Sequence, residues 1–471
     1  MKKLHIIFTL LFGVAVLLFF GLAYPHHLHY QEQYQLFLFD SGYVWDIVRL
    51  PGGVADLLGR FCTQFFLFAW VGAAIIAVQL MSVQLLTLRL FNVQRSMFNV
   101  LSFVPSFLLW LFLLDENALL GGVWAVLLTL LALWLFVKLP KGWTRGIVIL
   151  VALPIIYYMA GPNWTGSHYH RYPTVVPVLL YAAWLSAVIL PLAVRACHRW
   201  LSASHSSFLI PHFSFLISHF SFLISHSSFL ILMCFLVWKN ANFRAEKVMQ
   251  YDFMACHQQW NRILETVNAE RPNNQIGVTV QNLALAMHGM LADRLFDYNQ
   301  NGILGLLPDV ERDATSPMPT AEAFYQLGMV YVAQRTVFEA QEAILDFQKS
   351  GRCYKRLAQT NLINGNYEVA RKYLTALQKT IFYRDWANET LQLLGNEEAI
   401  AKHPEYGRLR QWAYKEDFYF SDHVTPEILE SLFFSNTDNR LAFDYLRAYY
   451  MLTNDRDSYA RLLLRLQTDT K

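Results

Sequence analysis

Hydrophobic positions along the chain fall into two regimes. Up to Trp238 they form long unbroken runs, at 4–24, 61–88, 97–114, 119–137, 146–160, 174–194 and about 213–238. Helical runs of this kind cross the ~30 Å hydrocarbon layer of a bilayer. After Trp238 the runs stop, and apolar residues return every third or fourth place, the period of a helix burying one face. The pattern predicts an all-α protein: a polytopic membrane bundle of about seven spans over 1–238, then an extracytoplasmic helical-repeat domain over 239–471.

The second half repeats itself. "FYQLGMVY" places Phe324, Leu327, Gly328 and Tyr331 at the large, leucine, small and tyrosine positions of a tetratricopeptide unit, with Ala340 and Ile344 expected on its second helix. A second unit offers Tyr354, Leu357 and Ala358, then Ala370 and Leu374. A weaker one has Phe443, Leu446, Tyr450, Tyr459 and Leu463, and "VQNLALAMHGML" around Val280 reads as an earlier copy. Small residues let the helices of each hairpin approach, and stacked hairpins form a tetratricopeptide-like α-solenoid with a binding groove.

Composition sharpens the division. The chain is 55% hydrophobic and only 15% charged, too apolar for a soluble protein of 471 residues. Of its 35 acidic residues only Glu32, Asp40, Asp46, Asp56, Asp115 and Glu116 precede Trp238. Short positively charged loops stay cytoplasmic. Lys2, Lys3, Arg89, Arg95, Lys138, Lys141, Arg145, Arg195 and Arg199 share one side of the seven-span arrangement, while Arg49, Arg60, Arg171 and all six acids lie on the other. The amino terminus is therefore expected in the cytoplasm, the first run as a retained anchor, and 239–471 in the periplasm of a bacterial inner membrane. With 26 basic and 29 acidic residues and no basic stripe, the outer domain is not expected to bind nucleic acid.

The last run contains "HFSFLISHFSFLISHSSFLI", part of a heptad expansion over 205–231 headed by His205, His212, His219 and His226. Seven residues return to nearly the same helical face, so the histidines form a stripe. Successive members lie ~10.5 Å apart along the axis, too far to share a metal ion. The reading is a duplicated short unit, tolerated because each copy remains apolar, and removal of one copy is expected to be harmless.

Two outer loops carry candidate chemistry. The first, 25–60, has amphipathic segments on either side of Pro51-Gly52-Gly53, expected to lie on the outer leaflet. Asp46 with Arg49 and Asp56 with Arg60 have ion-pair spacing, which leaves Asp40 as a candidate base. The loop "GPNWTGSHYHRYP" brings His168, His170 and Arg171 among aromatic residues; the bland reading is an interfacial belt, the chemical one a phosphate-binding group. His26, His27 and His29 match no zinc spacing, and no metal or cofactor is assigned. "DYNQNGILGLLPD" opens like a calcium loop but has Pro308 where a bidentate glutamate belongs, and reads as an interhelical loop. Whether Cys256 and Cys353 pair stays open.

The stretch "YQLFLFDSGY…LPGGVADLLGRFCTQFF", followed by spans and a helical outer half, resembles an uncharacterised family of bacterial multi-spanning proteins defined by a domain of unknown function. The resemblance covers nearly the whole chain, the heptads excepted, and implies no activity. Two functions are weighed. The first is a membrane-anchored scaffold whose outer repeats bind an envelope protein or peptide, with the lipid bilayer as its other partner. The alternative resembles integral-membrane glycosyltransferases that use lipid-linked sugars, which would make Asp40 the base and Arg171, His168 and His170 contacts to the lipid phosphate. Against it, no acidic pair follows the first span and the spans are fewer than in those enzymes, so enzymatic status stays open. A transporter ranks third, because no charged residue sits clearly in mid-span.

Overall fold

The computed structural model describes residues 2–33, 35–91, 100–138, 155, 159, 211–309, 316–344, 348–414 and 425–469. Among them every extended regular element is a helix. The chain divides into two compact units, Met1–Phe243 and Arg244–Lys471.

In the first unit, α1 (Lys2–Leu18) runs on through a π-helical turn, Phe19–Ala23, and is followed by α2 (Pro25–Glu32), α3 (Ser41–Val48) and α4 (Gly53–Thr63). Then come α5 (Ala69–Phe91), α6 (Val104–Phe112), α7 (Gly121–Lys138) and α8 (Pro211–Asn240). Their shared core includes Phe12, Phe20, Leu80, Trp110, Val123 and Val237. Three stretches among the described residues are long and apolar enough to cross a membrane: Leu4–Ala23, Ala69–Leu90 and Leu223–Asn240.

The described helices differ in their bounds from several of the apolar runs. The run at 61–88 contains a hidden break: Phe61, Cys62 and Thr63 finish α4, and Phe68 adopts an extended backbone (φ −112°, ψ 101°) before α5 begins. An apolar run conceals a turn whose residues are themselves apolar. At 97–114 the helix of nine residues starts at Val104, with Pro105 in its first turn, because proline suits a helix start better than an interior. The apolar part of α7, Gly121–Leu135, is shorter than a full span. The runs at 146–160 (Ile155 and Met159 apart) and 174–194 lie outside the described residues.

α4 does not behave as a helix lying freely on a leaflet. Its small residues Ala55, Gly59 and Thr63 are buried, and α4 packs along α7. A Cβ on Gly59 would stand 2.4 Å from the backbone nitrogen of Gly121, so this close approach depends on Gly59 having no side chain. Val54, Leu57 and Leu58, the apolar residues at helical spacing in this segment, are only half-buried.

Polar side chains inside this unit are joined to one another. The Gln84 amide on α5 donates to His5 Nε2 (2.8 Å) and Ser102 Oγ (2.9 Å), and its oxygen accepts from Thr9 Oγ1 (3.0 Å). His226, head of the last heptad copy, is buried on α8 with its ring 5.7 Å from that of His5 and 5.1 Å from that of Phe8. Met233, one heptad further on, is buried on the same seam. His205 and the side chains of His212 and His219 lie outside the described residues.

The second unit begins with α9 (Phe243–Cys256), α10 (Trp260–Glu270), α11 (Gln275–Met287) and the short α12 (Leu291–Arg294). It continues with α13 (Pro317–Leu327), α14 (Val330–Ala343), α15 (Gly351–Ile363), α16 (Tyr367–Leu377), α17 (Arg384–Leu391), α18 (Glu397–Lys402) and α19 (Tyr406–Trp412). Last come α20 (Pro426–Ser435), α21 (Arg440–Thr453) and α22 (Arg456–Asp469). Consecutive helices pack as pairs, α13 on α14, α15 on α16 and α20 on α21, around a core including Leu283, Phe324, Leu362, Phe433 and Tyr445.

In the pair α15–α16, Leu357 and Ala358 on the first helix and Ala370 and Leu374 on the second are all buried, where the sequence pattern puts them. In the preceding pair the register differs. Gly328 stands at φ +89° and ends α13, so Tyr331 belongs to the second helix rather than the first. The buried residues in corresponding places are Ala321 on α13 and Ala333 and Val337 on α14, matching Ala358, Ala370 and Leu374. A left-handed glycine at a turn and a small residue at a helix contact look alike in sequence. Asn439 caps α21 through Ala442 N (3.1 Å) and donates to Leu327 O (2.8 Å), holding that helix against the end of α13.

Candidate functional site

Asp40 is the N-cap of α3. Its backbone is extended (φ −139°) and its carboxylate accepts from Tyr43 N at 3.1 Å, satisfying a donor that the first turn leaves open. The Tyr43 hydroxyl donates to Leu36 O (2.8 Å), and burial raises its pKa against the opposing pull of Arg60. Arg60 donates twice to Asp56 Oδ2, at 3.0 and 2.8 Å. Burial disfavours its charge, but Asp56 and Tyr43 outweigh that and hold the guanidinium firmly protonated. Asp46 meets Arg49 at 3.1 Å, so both ion pairs anticipated from spacing are formed.

Arg171, His168 and His170 lie outside the described residues. His27 is fully buried, and desolvation lowers its pKa to about 3, so the ring is neutral at ordinary pH. The His26 and His29 rings stand 5.7 Å apart. Among the described residues no three His, Cys, Asp or Glu side chains are grouped to hold a metal.

In the second unit the inner faces of α13 and α15 are covered by the chain itself. Tyr325 donates to Glu405 (2.8 Å), Arg408 reaches Gln326 (3.4 Å), and Arg410 donates to the carbonyls of Leu362 and Ile363 (2.7 and 3.1 Å). Arg356 pairs with Glu322, its guanidinium 3.7 Å from the Tyr325 ring centroid. Residues 405–410 cover these faces, with Tyr406 and Leu409 both buried.

The calcium-like loop presents a different face. Asn299 donates to the carbonyls of Arg271 and Pro272 (3.0 and 3.2 Å), Asn301 to that of Asn273 (3.1 Å), and Asp297 accepts from Arg294 (3.0 Å). Beneath it, buried Asn282 donates to Gln300 and Gly305 O (both 2.9 Å), and Gln281 to Asn299 O (3.0 Å). The polar side chains of the calcium-like offsets thus tie the loop to the segment 271–273 and to Arg294, and Gln281 and Asn282 tie it to α11.

So fixed, the loop holds apolar groups in solvent. Phe296 is 67% exposed, Ile303 37% and Leu304 39%. Ile303 and Leu304 border a cavity of about 90 Å³ that is completed by Leu306, Leu307, Leu429, Tyr449 and Asp309. A rigid apolar rim around a small concavity is the arrangement of an interface hot spot, where an anchor side chain enters a preformed pocket. Sequence reasoning passed over it, although the signal was present in "ILGLL", an apolar cluster inside a loop otherwise rich in asparagine.

Residues 1–470 match the model of a family described as "Family of unknown function (DUF6057)", and the chain belongs to that family. Neither a curated protein nor a solved structure matches it.

Proposed function

We propose that this member of a family of unknown function is a membrane-anchored scaffold that holds an envelope protein or peptide on its second unit. The observation that carries the reading is the exposure of Ile303 and Leu304 at the edge of the cavity, with Phe296 exposed on the same loop, apolar surface kept in place by a network of buried amides. In this reading the helix pairs are tetratricopeptide-like units of a solenoid. The first unit is a bundle of about seven spans with a cytoplasmic amino terminus, and the second unit is periplasmic. The clustering of basic residues in alternate loops supports that topology. The lipid-linked-sugar transferase gains no comparable support, since the capping bond of Asp40 already gives that carboxylate a structural role.

The test is a photo-crosslinking amino acid at Phe296 in living cells, with adducts identified by mass spectrometry. A scaffold gives one recurrent envelope protein that disappears when Ile303→Gln is added. Adducts with lipid alone, or a protein adduct indifferent to Ile303→Gln, would sink the reading.

A further inference from the structure

Two helices of the second unit end beside one open cavity. α9 closes with Gln258 N donating to Ala255 O (3.0 Å) and Gln259 N to Met254 O (2.9 Å). α11 closes in the same way, with Gly289 N donating to Ala286 O (2.8 Å) and Met290 N to Leu285 O (2.9 Å). Such a turn places one residue in the left-handed region, where glycine sits at least cost. Gly289 takes that place at φ +66°, whereas Gln258 takes it at φ +53°. The turn itself needs no side chain, so the glutamine stands there against the preference of the backbone, and the side chain it adds lines the cavity. That cavity measures about 390 Å³ and is bounded by Gln258, Gln259, Trp260, Asn261, Arg262 and His288, a size found among small-molecule sites.

The geometry points to a saccharide site, for a sugar ring that carries a carboxylate. Trp260 is half-buried and packed against the core of the unit, so its indole is held in place as a platform for the apolar face of the ring. Beside it stand three carboxamides, each of which donates and accepts at once, as a sugar hydroxyl does. The side chains of Gln258, Asn261 and His288 are exposed and make no hydrogen bond to another described residue, so their polar groups are available to a ligand. Arg262 donates to Gln259 Oε1 (3.2 Å) and meets no carboxylate among the described residues, which leaves the rest of its fork for the carboxylate of the sugar. Other ligands fit less well. A simple anion only accepts hydrogen bonds and would face the amide oxygens, a nucleotide would bring several charges to one arginine, and a peptide side chain would find no aliphatic wall. The inference goes beyond the scaffold reading, and its cavity shares no residue with the one at Ile303.

The experiment follows fluorescence anisotropy of labelled probes with the full chain in zwitterionic nanodiscs, against empty nanodiscs. The probes are a tetrasaccharide of galacturonic acid, one of galactose, and tetraglutamate as an anion that is no sugar. The galacturonate should bind about tenfold more tightly than the galactose oligomer, and Arg262→Gln should cut that preference to about twofold. Trp260→Ala should weaken both sugars about tenfold. Gln258→Gly suits the turn and keeps the fold, and it should weaken both about threefold. Ile303→Gln should leave both unchanged. No binding of either sugar, or binding that neither Gln258→Gly nor Trp260→Ala weakens, overturns the inference. Galactose bound as tightly as galacturonate overturns it by removing the carboxylate from the recognition. Tetraglutamate bound as tightly as galacturonate overturns it in favour of a general anion site.

Discussion

Replacing Arg352 by methionine should destabilise the second unit, and a second substitution at its partner should undo the damage. Arg352 on α15 donates to both carboxylate oxygens of Asp252 on α9, at 2.5 and 2.8 Å, and the two side chains are only 10% and 12% exposed. Such a pair is weak evidence for stability as a whole, but removing one partner strands the other, at a cost of about 3–5 kcal/mol. Hydrogen exchange of α9 and α15, followed by mass spectrometry on the full chain in nanodiscs, should show a loss of about 3–5 kcal/mol at pH 7. The double variant Arg352→Met, Asp252→Leu should recover most of that loss, because neither charge is then stranded. A single variant that loses less than about 1 kcal/mol, or a double variant as unstable as the single one, would refute the reasoning.

Gly59→Leu should separate α4 from α7, since a Cβ there already meets the Gly121 backbone at 2.4 Å; overpacking of this kind costs about 1–3 kcal/mol, read as a lower unfolding midpoint, whereas Leu58→Ala should change it little. The neutral, buried His27 favours the fold fully above the unfolded imidazole pKa of about 6.5, and its contribution drains away as pH falls towards about 3; His27→Phe should flatten the acid limb of the first unit's stability curve. Asp40→Ala removes the bond to Tyr43 N and should cost about 1 kcal/mol of local stability, seen as faster exchange in α3. Deleting 212–218 rotates the preceding chain by only about 20° and leaves His226 and Met233 against their partners, so the melting temperature should stay within a degree or two.

The described helices of the first unit were legible as apolar runs, but their ends were not. A run of phenylalanine and leucine looks the same through the break at Phe68 as it does inside α5, because hydropathy registers burial and not the backbone torsion that ends a helix. The second unit inverted the difficulty. Its period announced paired helices, and α15 with α16 fell where Leu357, Ala358, Ala370 and Leu374 put them. One glycine then misplaced the neighbouring pair, because Gly328 has a small side chain for a contact and also the torsional freedom for a turn. Asp40 was singled out for having no ion-pair partner nearby in sequence, yet its partner is a backbone amide, which no spacing of charges reveals.

Reading a site from residue types favours groups that can do chemistry, and the fold uses many such groups for itself. Asp56 is engaged with Arg60, His5 and Thr9 meet the Gln84 amide, and the asparagines of the calcium-like loop bind backbone carbonyls. Groups so used are poor candidates for catalysis, because turning them towards a substrate would leave buried partners unsatisfied at a cost of about 1–3 kcal/mol each. Ile303 and Leu304 stand in the opposite relation to the fold: they are apolar, exposed, and held in solvent by a network that would have little reason to be rigid if the loop were only a connection. Withdrawing them from water is favourable by about 25 cal/mol per Å². Within this structure that gain is unrealised, and a partner that fills the cavity would realise it without dismantling any hydrogen bond the fold depends on.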